Sequence, residues 1–280
     1  MTDQLSQDWL TPAIAFSVSV CGSVLGLAFA GRARRARGAA RWQWLILAAF
    51  SLGGMAVWSM HFIAMMGFRV AGALIRYDAF LTLVSGVTAV VVMGAALTMT
   101  IRRRTLPWIL AGGALAGAGV VAMHYTGMAS MNMHGTMHHA PSAIAAACVI
   151  ALVAATVAMW FSARLRGAPA IAAGSLVMAV AVTSVHYTAM TGVSVAAPEA
   201  VRTDPPPGST AADLLLPVII GLFVLLLVCS LFLMLGEEEE RVDPSPSGSG
   251  PQHPHGTARS TPEDYRPRHG TDDVWHRPRR

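Results

Sequence analysis

Seven stretches of this chain are apolar almost without interruption. They lie near residues 12–31, 42–66, 79–101, 107–131, 142–163, 170–192 and 213–235. About 20 helical residues cross the roughly 30 Å of hydrocarbon in a bilayer, where every backbone polar group must be satisfied internally. None of the runs carries Arg, Asp or Glu except Asp213, at the very start of the last. Residues 105–163 form one uncharged stretch, and the polar segment Asn132 to Pro141 (NMHGTMHHAP) supplies its turn. The pattern predicts an all-α membrane protein of seven transmembrane helices. The expected division is 1–11 as the N-terminus, 12–195 as a six-helix domain, 196–212 as a loop, 213–235 as the seventh helix and 236–280 as a tail.

Charge separates the tail from the rest. Of 280 residues, 54% are hydrophobic and 12% charged, about half the charged share of a soluble domain. Residues 236–280 hold 16 of the 35 charges and leave 19 for the first 235. A soluble enzyme of that size needs a more solvated surface, so that class is excluded and the formal charge of +5 is no signal for nucleic acid. The tail is Glu-rich, then Pro/Ser/Gly-rich, and has too little apolar surface to fold alone; it is expected to be disordered. Its histidines (His253, His255, His269, His276) have no regular spacing and are expected to be solvated.

The remaining charges set an orientation. Arg32, Arg34, Arg35, Arg37 and Arg41 follow the first run, Arg102, Arg103 and Arg104 the third, and Arg164 and Arg166 the fifth. The opposite loops carry only Arg69, Arg76 and Arg202. By the positive-inside rule the N-terminus is outside a plasma membrane and the C-terminus is cytoplasmic. The acidic start lacks the positive n-region of a signal peptide. All 20 basic residues are arginine, a bias that suggests a high-GC bacterial genome. Cys21, Cys148 and Cys229 fall in separate runs and form no disulfide framework.

An internal repeat carries the chemistry. Span two contains Ser59-Met60-His61-Phe62-Ile63-Ala64-Met65, span four Ala122-Met123-His124-Tyr125-Thr126-Gly127-Met128, and span six Ser184-Val185-His186-Tyr187-Thr188-Ala189-Met190. The histidines are 63 and then 62 residues apart. The repeat unit is a helix pair, so three pairs plus a C-terminal helix make up the chain and all three motifs run outward at similar depth. Methionine follows each histidine at the fourth position (Met65, Met128, Met190), on the same helix face. An ionisable residue inside a span is costly and marks a candidate site. Thioether and imidazole together favour copper, especially Cu(I), over harder cations. Met131, Met133, His134, Met137, His138 and His139 add a second group of such ligands in the outer loop, suited to capturing the ion first. The alternative reading is ordinary: a membrane histidine often satisfies an interhelical hydrogen bond, and methionine fills cores. Phe62, Tyr125 and Tyr187 read as packing aromatics, and Gly22/Gly26 and Gly113/Gly117 as close helix contacts.

The Met-His-Tyr-Thr at 123–126, with related copies at 60–63 and 185–188, resembles the signature of the MHYT domain family, bacterial integral-membrane domains with a repeated motif near the outer face. The resemblance covers residues 10–195. It implies a sensory role through a copper ion held by Met60, His61, Met123, His124 and His186, reaching Met65, Met128 and Met190, and a response to oxygen, carbon monoxide or nitric oxide. The first copy reads Met-His-Phe-Ile and the third Val-His-Tyr-Thr, so Val185 offers no thioether. Members of the family often carry cyclic-dinucleotide or DNA-binding output domains. The 45-residue tail is too short for one, so a stand-alone member without enzymatic activity is expected, working with a separate signalling partner.

Three functions follow in order. The first is a membrane sensor or binding protein holding copper near the outer face, responsive to a diatomic gas or to redox state. The second is copper capture and handling. The third is a small copper redox protein. Transport ranks below sensing because the inner halves of spans two, four and six are mainly Ala, Leu, Val, Ile and Gly. Purely structural histidines remain the fourth possibility.

Overall fold

The computed structural model describes residues 5–6, 9–70, 74–196 and 204–242. Seven helices are long and apolar enough to cross a membrane: α1 (Leu10–Arg35), α2 (Gly38–Met66), α3 (Ala79–Arg103), α4 (Leu106–Ala129), α5 (Pro141–Arg164), α6 (Ala168–Thr191) and α7 (Ala211–Val242). The chain is therefore a multi-pass membrane protein. The seventh helix runs to Val242, past the expected boundary at 235, because Glu237 to Glu240 continue the helical turns as good helix formers. Residues 243–280, with the four tail histidines, and Arg202 lie outside the described residues.

Local sequence explains the ends. Proline opens α4, α5 and α6 within the first two positions, where its missing N–H costs nothing. Asp78 caps α3 by accepting from the Leu81 N–H at 3.0 Å. Helices α1, α3 and α5 finish on arginines in their last turn, where the negative end of the helix dipole favours a cation. These three C-termini define one face of the bundle. Helices α2, α4 and α6 run the other way, so all three histidine motifs approach the opposite face.

The packing order closes a ring. α1 lies against α2, α2 against α3, and so on through α6, which returns to α1. Motif helices thus alternate with arginine-ended ones. Small residues permit the close crossings anticipated at two glycine pairs. A Cβ on Gly22 would meet the backbone of Ala56 and Ser51 at 2.5 and 2.7 Å, and one on Gly113 would meet Thr156 Cα at 2.6 Å. Helix α7 sits outside the ring, with Leu216, Ile219, Phe223 and Leu227 facing outward, and it touches α2 through Trp44–Phe232 and Ser51–Cys229. At the arginine face, Arg34 donates to the carbonyls of Ser162 and Leu165, which ties α1 to the end of α5. Arg32, Arg102 and Arg103 lie over Trp44, Trp42 and Trp108.

Two features had no sequence signal. The middle of α2, Phe50–Ser59, is a ten-residue π-helix that ends one residue before the first motif. The loops at the motif face form three short antiparallel ladders: β1 (Leu5–Ser6) with β2 (Arg69–Val70), β3 (Arg76–Tyr77) with β4 (Met131–Asn132), and β5 (Thr136–His139) with β6 (Val193–Ala196). A further backbone pair joins Tyr77 to Ser209. The segments following all three motif helices are therefore stitched to one another.

Gly22→Leu should lower the thermal stability of the purified protein by about 1–3 kcal/mol, the usual cost of overpacking, because its neighbours are backbone atoms that cannot rotate away. Arg34→Gln should cost about 2 kcal/mol through loss of charge-assisted bonds to two carbonyls. Unfolding in detergent followed by circular dichroism checks both.

Candidate metal centre

The three motif helices carry His61, His124 and His186 to one point on the bundle axis. All three are buried, at 2, 3 and 2% exposure. Their Nδ1 atoms converge: His61 lies 3.0 Å from His186 and 3.2 Å from His124. Ring centroids are separated by 4.8, 5.0 and 5.4 Å, with the planes steeply inclined. His61 is the middle member. It fits there because helix α4 has no side chain at Gly127, where a Cβ would stand 2.5 Å from His61 Nε2. The corresponding positions in the other motifs are Ala64 and Ala189.

The histidines find no partners in the surrounding protein. Each Nε2 is buried and lacks a hydrogen-bond partner among the described residues, so their polar contacts are to one another alone. These contacts join three different helices, so interhelical hydrogen bonding accounts for the Nδ1 atoms and leaves the Nε2 atoms without a partner among the described residues. One proton on His61 Nδ1 could serve both contacts; the buried Nε2 groups stay unpaired whether a proton or a metal sits between the Nδ1 atoms, at about 1–3 kcal/mol each. The donor set also fits a metal. Three nitrogens each 2.0 Å from a common ion in a plane stand about 3.5 Å apart, a few tenths of an ångström beyond the observed separations. The ligand atoms of the three residues all lie within 4.8 Å of one another.

The methionines divide into two sets. Met65, Met128 and Met190, four residues after each histidine, share one buried cluster with Phe62, Phe68, Tyr77 and Val193, on the motif-face side of the triad. Met60 packs with Ala15 and Ala64, and Met123 belongs to the large core. The structure thus groups the trailing methionines around one place and scatters the leading ones. Of the loop residues, Met131, Met133, His134, Met137 and His139 line one cavity, together with Tyr125 and Met128. His138 is exposed and contacts Thr136 Oγ1 at 3.3 Å.

Two contributors escaped sequence reasoning. Tyr77, outside the spans, donates its hydroxyl to the Met65 carbonyl at 3.2 Å. Burial pushes that hydroxyl up to about 12, so it remains a donor at neutral pH and clamps the end of the first motif helix. Gly127 is the other. Its signal was present, a glycine inside the best-preserved motif copy, but nothing in the sequence says that His61 is what occupies the space.

The model of the MHYT family, described as a bacterial signalling protein N-terminal repeat, matches residues 54–113 and 117–175. These two repeats contain His61 and His124; the third motif lies beyond them. The bifunctional diguanylate cyclase/cyclic di-GMP phosphodiesterase MucR of Pseudomonas aeruginosa is 38% identical over 186 residues, 63% of this chain and 27% of the relative. The cyclic di-GMP phosphodiesterase NbdA of the same organism is 38% identical over 167 residues, 56% of this chain and 20% of the relative. An uncharacterised signalling protein of Caulobacter vibrioides is 30% identical over 192 residues, 69% and 23% respectively. The chain therefore spans about a quarter of the length of the curated relatives it matches. No solved structure matches it. With two repeats matched over residues 54–175 and its motif histidines on alternate helices, the chain carries MHYT repeats of the bacterial signalling type.

Proposed function

We propose that this protein is a membrane sensor whose input site is a copper ion held by His61, His124 and His186, with the thioethers of Met65, Met128 and Met190 beside it. The observation that carries the reading is the convergence of three buried Nδ1 atoms whose only polar contacts among the described residues are one another. The donor set selects among metals: neutral imidazoles with thioethers nearby favour copper, while the motif helices hold no carboxylate for a harder cation. A bound copper supplies a centre that can change oxidation state or take a small ligand such as oxygen, carbon monoxide or nitric oxide. The protein holds three imidazoles in fixed orientation, excludes water from them and links three separate helices through one point.

Signalling follows from that linkage. A change in the distance between the imidazoles moves α2, α4 and α6 relative to one another, and the arginine-ended helices between them carry the movement to the opposite face. The ten arginines after spans one, three and five support an orientation with that face in the cytoplasm and the motif face outside. The relatives named above are cyclic di-GMP enzymes, and this chain corresponds to about a quarter of them. The matched region is the sensing part, coupled to signalling machinery at the face opposite the motifs.

Purified protein should contain copper by elemental analysis and, when oxidised, show a cupric electron-spin signal with nitrogen coupling. Each of H61A, H124A and H186A should lose most of it. A metal-free wild type, or copper retained in all three variants, refutes the reading. Gly127→Ala should also lose copper although every ligand remains, because the new Cβ displaces His61; helix content should be unchanged, and alanine is the better helix former by about 1 kcal/mol.

A further inference from the structure

The triad does not use the cavity at the motif face. Its volume is about 480 Å³. Four thioethers, Met128, Met131, Met133 and Met137, and two imidazoles, His134 and His139, line it. Met131 is buried, and Met133, Met137, His134 and His139 are half-buried. Met128 and Met131 belong to the buried apolar cluster and Met133 and Met137 pack against it, so the cavity opens beside the thioethers instead of being filled by them.

Two histidines there carry the marks of ligands in waiting. His134 Nε2 contacts the carbonyl oxygen of Asp204 at 2.6 Å. A carbonyl only accepts, so Nε2 carries the proton and Nδ1 is left as a bare donor atom, the second-shell arrangement that fixes a metal-binding tautomer. His139 Nε2 is buried without a partner among the described residues. Among the described residues, the lining contains no carboxylate. Thioether sulfur is soft, so thioethers together with imidazoles suit a soft monovalent ion.

The cavity also adjoins the triad. Met128 belongs both to its wall and to the buried cluster with Met65 and Met190. The Tyr125 ring stands between the two sites, 5.0 Å from the His124 ring and 5.6 Å from that of His139.

We infer that this cavity is a second metal site, distinct from the triad, which binds a soft monovalent cation of the cuprous type through Met131, Met133, Met137 and the two histidines. The site stands on its own residues; only its place as the neighbour of a copper centre rests on the function proposed above.

Silver(I), a redox-inert stand-in, separates the two. Metal-free full-length protein in detergent is loaded with silver(I), desalted and its bound metal counted. Wild type should retain two equivalents, M131L/M133L/M137L one, H61A/H124A/H186A one, and the combination none. Leucine preserves volume, and if the triple variant does not fold, M133L/M137L alone should still lose the cavity equivalent. Cavity variants that keep the wild-type count, whatever that count is, overturn the second site. If the cavity variants lose an equivalent while the triad variant loses nothing, the second site stands and the triad reading fails.

Discussion

Burying three imidazoles in an apolar bundle is the constraint on which the rest of this molecule depends. An unpaired polar group in a membrane interior costs several kcal/mol at the level of transfer from water, and here three are placed within reach of one another and of little else. Such an arrangement persists only if the helices that carry it cannot drift apart. The ring order provides this, since each motif helix is flanked on both sides by an arginine-ended helix. The backbone pairs between Tyr77 and Ser209, Asp78 and Ser130, and Ala140 and Gly192 hold the three motif-side loops together.

The repeat is not symmetric, and the asymmetry is instructive. His61 touches both other histidines at 3.0 and 3.2 Å, whereas His124 and His186 have the widest ring separation, 5.4 Å. The helix that bears His61 differs from its counterparts in its π segment, and the helix facing it differs in having glycine at position 127. Three copies of one helix pair thus supply three histidines, and local departures from the repeat give one of them the central position.

Much of this was legible in the sequence, for identifiable reasons. The spans were readable because hydrocarbon tolerates no charge, and their arginine-marked ends because α1, α3 and α5 stop on Arg35, Arg103 and Arg164. His61, His124 and His186 stood out against that apolar background. Spacing placed them at one depth, but depth does not fix the direction around each helix, so convergence required the three-dimensional arrangement. The same holds for the methionines: Met60 and Met65 look alike in sequence, and packing alone separates them. The π segment was invisible because Phe50 to Ser59 is apolar on nearly every side, so a change of helical period leaves no trace in the pattern. The ladders were invisible because strands of two to four residues are too short to show alternation.

The π segment bears on how His61 is aimed. Within it the backbone bonds reach one residue further than in an α-helix, so the motif beyond is offset in rotation from where an all-α span would place it. Helix α2 spends 29 residues on its crossing, against 24 each in α4 and α6. A step of one residue between the two helical registers turns everything downstream by about 100°. His61 lies two residues after the segment ends, so the segment sets the angle at which its imidazole is directed at His124 and His186.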